Sequence, residues 1–206
     1  MGPRGPLWPR EHGAYAELAF PLLTGRGWAG PDLSVAALAL SALAFFFAHE
    51  PVAIVLGARG RRLKDALEER ARGRGIVLVT VGAALGATSM VSSEVPLWPS
   101  LILPCLAAAL LVPLVLFGKQ KTLTGEILVI TAFSTMVLPL GAAAEMDGTR
   151  VSVAALVWWW SFFLGTLEVH AIKARHREQG RRAWTRWASP ALCGVTLLGC
   201  VAGLIG

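Results

Sequence analysis

Seven long apolar stretches, at about 13–30, 33–56, 75–93, 96–117, 125–144, 151–171 and 188–206, fill most of this chain and are separated by short polar segments. A helix needs about 20 mostly apolar residues to cross the hydrocarbon core, and in lipid every backbone polar group must be satisfied within the protein. Each stretch therefore reads as a membrane-spanning helix. With 55% of its 206 residues hydrophobic and 16% charged, the chain lies outside the range of ordinary soluble domains and has no room for one. The expectation is an all-α integral membrane protein of about seven transmembrane helices. It forms a single domain over 1–206, with a short N-terminal segment at 1–10 and amphipathic loops at 58–74 and 173–187. Met1 to Arg10 has no compact apolar run ending in a small-residue cleavage site, so it does not read as a signal peptide.

The net charge of +6 would suggest nucleic acid in a soluble protein, but its distribution points elsewhere. Arg4 and Arg10 precede the first stretch; Arg59, Arg61, Arg62, Lys64, Arg70, Arg72 and Arg74 follow the second; Lys119 and Lys121 follow the fourth. Lys173, Arg175, Arg177, Arg181, Arg182 and Arg186 follow the sixth. With seven spans all of these fall on one side, and only Arg26 and Arg150 on the other. The positive-inside rule then puts the N-terminus in the cytoplasm and the C-terminus outside. The basic excess is a device of topology and of attraction to anionic lipid, not of nucleic-acid binding.

Several residues shape the spans. Glu17, Pro21 and Arg26 interrupt the first, and Pro51 removes a backbone donor beside His49 and Glu50, which predicts a kink or break there. Pro99, Pro104 and Pro113 should bend the fourth span, and Pro139 the fifth. Gly82 and Gly86 have the four-residue spacing that lets helices approach closely. Residues 58–74 place Leu63, Ala66, Leu67 and Ala71 on one face, as a helix lying on the membrane surface would. Cys105, Cys193 and Cys200 sit inside apolar runs without metal-type spacing and read as packing residues.

Ionisable groups are expensive at membrane depth, and here they gather at the cytoplasmic ends of the spans. Glu11, His12 and Glu17 enter the first; His49 and Glu50 leave the second; Glu126 enters the fifth; Glu168 and His170 leave the sixth. The ends of spans two and six also resemble each other: with Glu50 laid on Glu168, Ala53 falls on Ala171 and Ile54 on Ile172, each element closing an apolar run and opening an arginine-rich loop. Such a constellation can hold a divalent cation such as magnesium, with arginines holding a phosphate or diphosphate. It can relay protons, since histidine changes charge near neutral pH. It can also form fixed ion pairs that tie helices together. Glu50, Glu168, His49 and His170 are the candidate catalytic groups, with Glu50 and Glu168 also the candidate metal ligands. His12, Glu17, Arg59, Arg61, Arg62, Arg175 and Arg177 are the candidate ligand and anion contacts. Glu126 reads first as an acid complementing a helix N-terminus.

The opening segment Pro9–Arg10–Glu11–His12–Gly13–Ala14–Tyr15–Ala16–Glu17–Leu18–Ala19–Phe20–Pro21–Leu22–Leu23–Thr24–Gly25 resembles the N-terminal signature of the YwiC-like family of bacterial membrane proteins. More distantly, the layout of spans and loops resembles the UbiA superfamily of intramembrane prenyltransferases. That resemblance implies an N-in helical bundle with a cytoplasmic-side cavity, in the bacterial inner membrane, and an isoprenoid or quinone-like ligand. It also implies aspartate-rich motifs after spans two and six that hold magnesium and a diphosphate. This chain departs there: after span two it has His49, Glu50, Asp65, Glu68 and Glu69, and after span six Glu168, His170 and Glu178. The expected function is therefore binding or modifying an amphipathic ligand at a His/Glu/Arg site, as a UbiA-like transferase of altered chemistry if it is an enzyme. A small proton-coupled transporter and a non-catalytic membrane subunit remain open alternatives.

Overall fold

The computed structural model describes residues 7, 12–28 and 32–177, with the side chains of His12 and of 173–177 left aside. The seventh apolar stretch at 188–206 and the loop beyond Arg177 lie outside the described residues. The described chain forms α1 (His12–Trp28), α2 (Leu33–Val55), α3 (Arg61–Ser92), α4 (Trp98–Leu116), α5 (Leu123–Ser134), α6 (Val137–Ala143) and α7 (Gly148–Arg177). No strand occurs among the described residues.

Five segments are long and apolar enough to cross a membrane: α2, α3, α4, α5 with α6 taken together (Leu123–Ala143), and α7 over Gly148–Ile172. At 17 residues α1 is the shortfall, reaching about 25 Å against a hydrocarbon core of about 30 Å. Large apolar side chains stay exposed along α3, α4 and α7, among them Val91 at 87% and Trp98 at 63%. In water such surface would be a liability, and in a bilayer it faces lipid.

The closest helix pair is α2 with α3, and small residues explain it. A side chain at Gly82 would press on the ring of Phe45, Gly86 lies against the Ser41 hydroxyl, and Gly75 faces Pro51 and Val52. Ser41 Oγ, buried, donates to the Gly82 carbonyl at 2.7 Å across the interface. The expected packing role of Gly82 and Gly86 is therefore what the fold uses. Gly25 of α1 meets Leu140 of α6, where an added Cβ would lie 2.6 Å from the Leu140 Cβ. Around that contact Leu18, Leu22, Val35, Leu38, Phe46, Leu97, Leu140 and Ala143 form the main core between α1, α2 and α6.

Two proline expectations divide. Pro139 does break its span: α5 stops at Ser134 and α6 starts at Val137. Pro139 has no N–H for the Thr135 carbonyl, and that carbonyl accepts instead from the Leu138 N–H at 3.0 Å. The hydroxyls of Thr131 and Thr135 donate to carbonyls one turn back, at 2.8 and 2.5 Å, and Ser134 donates to the Ile130 carbonyl, which loosens the ladder further. Pro51, by contrast, lies inside a helix that continues to Val55, so no break separates Glu50 from the rest of α2. Pro51 is fully buried and packed toward Gly75 of α3. The amphipathic segment 61–74 also differs from expectation, being the first turns of α3 in a continuous 32-residue helix. No proline falls between Arg61 and Ser92, and a glycine such as Gly73 costs a helix only about 1 kcal/mol.

Candidate functional site

Short connections reverse the chain after each span, so the end of α2, the loop 56–60, the start of α5 and the end of α7 share one side of the bundle. Two ionisable pairs occur there.

The first joins Glu50 of α2 to Arg59. Glu50 is 4% exposed, and a carboxylate so buried needs a partner. The loop after α2 supplies it by turning through left-handed backbone at Gly57 (φ 78°) and Gly60 (φ 92°), a conformation in which a Cβ would be strained. Arg59 lies between them, and its Nε and Nη2 donate to Glu50 Oε2 at 3.1 and 2.5 Å. Leu7, Ile54, Leu67 and Ala71 form a small buried cluster at this end of the α2–α3 hairpin.

The second pair joins Glu126, in the first turn of α5, to His170 of α7, with Nε2 to Oε2 at 2.5 Å. Both side chains are about one-third exposed, 28% for Glu126 and 35% for His170. Thr122 caps α5 through its hydroxyl, which accepts from the Gly125 N–H at 3.3 Å, so Glu126 sits where the helix dipole favours an anion. Deeper along α7, Trp158 donates to Thr24 Oγ1 of α1 at 3.1 Å and Trp159 to Thr131 Oγ1 of α5 at 2.9 Å. Those indoles fix the rotation of α7, and with it the direction of His170. Phe20, Trp158 and Phe162 stack in sequence with centroid separations of 5.3 and 5.6 Å. Trp160 projects outward at 47% exposure.

The remaining candidates are distributed around these pairs. His49 and Glu17 are half-buried on α2 and α1, Arg61 and Arg62 are exposed at the start of α3, and Glu168 is exposed on α7. The side chains of His12, Arg175 and Arg177 lie outside the described residues. Tyr15, the single tyrosine of the chain, packs edge-on to Phe46 at 5.1 Å, and Phe46 in turn meets Phe133 at 5.7 Å, giving α1, α2 and α5 a shared aromatic contact. Among the described residues no three His, Cys, Asp or Glu side chains come together as a metal ligand set. The carboxylate of Glu50 is engaged by Arg59. Glu126 lies in the first turn of α5, as expected of an acid at a helix N-terminus; its contact with His170 was not expected, since nothing in the chain announces that α5 packs on α7.

The far side carries Asp32 as the cap of α2. Its Oδ1 accepts from the Ser34 hydroxyl at 2.6 Å and from the Val35 N–H at 2.9 Å, and these bonds, the hydroxyl first, hold its carboxyl below the usual carboxylate range.

Comparison with known proteins is consistent with the opening resemblance. No curated protein and no solved structure matches the chain. The family model described as YwiC-like protein matches residues 8–140, a region that contains α1 to the middle of α6 and both Glu50 and Glu126. That match covers more than half of the chain, and the protein belongs to the YwiC-like family.

Proposed function

We propose that this YwiC-like protein binds an amphipathic, isoprenoid-like ligand from the inner leaflet of the bacterial cytoplasmic membrane. The ligand's polar end is held at the cytoplasmic side of a seven-span, N-in/C-out bundle of UbiA-like layout. The observation that carries this reading is the Glu126–His170 pair: two polar groups, one-third exposed, held at the end of an otherwise apolar bundle. Polar groups so placed mark ligand or ion pathways more often than they serve stability. His49, Glu17, Arg61 and Arg62 border that side, and His12, Glu168, Arg175 and Arg177 belong to the same proposed polar end. We assign Glu50 with Arg59 to holding the α2–α3 turn in place. His170 is the group we assign to moving a proton if the ligand is chemically altered.

A second reading, a small proton-coupled transporter, is favoured by the same pair, because a carboxylate hydrogen-bonded to an imidazole is a natural proton-carrying unit. Mass spectrometry of the lipids retained by the full-length protein purified in mild detergent separates the two. Retention of an isoprenoid or quinone-type molecule supports the ligand-binding reading. An empty protein that shows proton-coupled uptake in vesicles overturns it in favour of transport.

A further inference from the structure

A lateral groove of about 290 Å³ opens between the last turns of α2 and the lower part of α3. Val55 and Leu56 form one wall, Gly75, Ile76 and Val79 the other, and Arg72, toward the start of α3, is the charged residue of an otherwise apolar lining. Ile76 is 61% exposed and Leu56 54%, so the walls face outward into the bilayer rather than into the bundle. From Arg72 to Thr80 the groove follows α3 for about 12 Å, from the basic turns of the helix into its apolar run. Gly75 creates the space. A Cβ there would make ordinary contacts at 3.6 Å to Pro51 and 3.7 Å to Val52, so a methyl fits, whereas a longer side chain would project into the groove.

We propose that this groove is a binding site for one anionic bilayer phospholipid, its acyl chain against Gly75 and Val79 and its phosphate at Arg72. The occupant follows from charge and depth. Segment 58–75 carries seven Lys and Arg against three Asp and Glu. Arg59 is engaged by Glu50 and Lys64 lies 3.9 Å from Glu68, while Arg72 borders the apolar channel directly. An acyl chain needs an apolar channel beginning at the membrane surface, and a phosphate needs a cation at that beginning; both meet here. The inference rests only on α2 and α3 spanning a bilayer, and not on the ligand proposed for the Glu126–His170 side.

The test is native mass spectrometry of the full-length protein, delipidated and then titrated with phosphatidylglycerol or phosphatidylcholine. Wild type should retain one phosphatidylglycerol in preference to phosphatidylcholine. Arg72→Gln should lower that preference about five-fold, the value of one basic side chain near an anionic surface, and Gly75→Leu should abolish retention. Arg70→Gln, in the same basic segment but outside the groove lining, should leave both unchanged. Equal losses in Arg70→Gln and Arg72→Gln would make the attraction diffuse and overturn the site, as would wild-type retention in Arg72→Gln. If Gly75→Leu retains the lipid but loses a dimer seen in wild type, the groove belongs to a second copy of the chain and the proposal falls. Should Gly75→Leu fail to fold, Arg72→Gln against Arg70→Gln decides alone.

Discussion

The two ionisable pairs on the same side of the bundle are built in opposite ways. Glu50 and Arg59 are nine positions apart and joined by one loop, with Glu50 buried. Glu126 and His170 are 44 positions apart, come from two different spans, and are each about one-third exposed. A buried ion pair of local origin fixes a turn, and its loss strands a charge in an apolar place. A half-exposed acid and imidazole brought together by tertiary packing contribute little to stability but stay open to a ligand and to protons. On the proposed function, burial by itself is a poor guide to role: the more buried pair is assigned to the scaffold, and the more accessible pair to the ligand.

Removing Glu50 is the strongest way to break this contrast. Glu50→Ala leaves the Arg59 guanidinium without its carboxylate beside a packed cluster and should cost about 3 kcal/mol. Thermal unfolding in detergent would show it as a large drop in midpoint, and Glu50→Met with Arg59→Met should recover most of the loss. If the single change is nearly neutral, the pair is not the structural tie that its burial indicates.

Asp32 provides the calibrating case of a carboxylate that is both local and accessible. Its pKa is lowered by the Ser34 hydroxyl and the Val35 N–H, so the stability it contributes is present above the unfolded value near 3.9 and disappears as pH falls through the lower folded value. Asp32→Ala should cost about 1 kcal/mol at neutral pH, and Asp32→Asn less, because the amide oxygen still caps the helix. Melting curves between about pH 3 and pH 6 should be flatter for Asp32→Asn than for wild type. An identical acid dependence in both proteins would remove Asp32 from the account of α2.

How much of this was legible in the chain can be judged from particular residues. Span boundaries were readable because length and apolarity alone set them: the stretch at 33–56 is α2 at Leu33–Val55, and that at 125–144 is α5 with α6, ending at Ala143. The bend expected at Pro139 is a break in the helix, whereas α2 continues without a break through Pro51, where Gly75 of the next helix lies against it. The likeness between the ends of spans two and six could not give direction around the helix axis. Two positions of a helix apart, Glu168 and His170 point about 200° away from each other. The structure accordingly leaves Glu168 exposed and turns His170 to Glu126. That rotation is set by Trp158 and Trp159 reaching Thr24 and Thr131, contacts between distant parts of the chain that no local pattern encodes.

The most direct test of the account is the lipid content of His170→Gln compared with wild type, read together with thermal stability. Glutamine keeps a polar group of similar reach toward Glu126 and removes the ring that can change charge. The account predicts a protein that inserts and melts within about 1 kcal/mol of wild type, yet retains at least ten-fold less isoprenoid or quinone-type lipid. Full retention of that lipid by His170→Gln, with or without a loss of stability, would contradict it and leave the Glu126–His170 pair as a tie between α5 and α7.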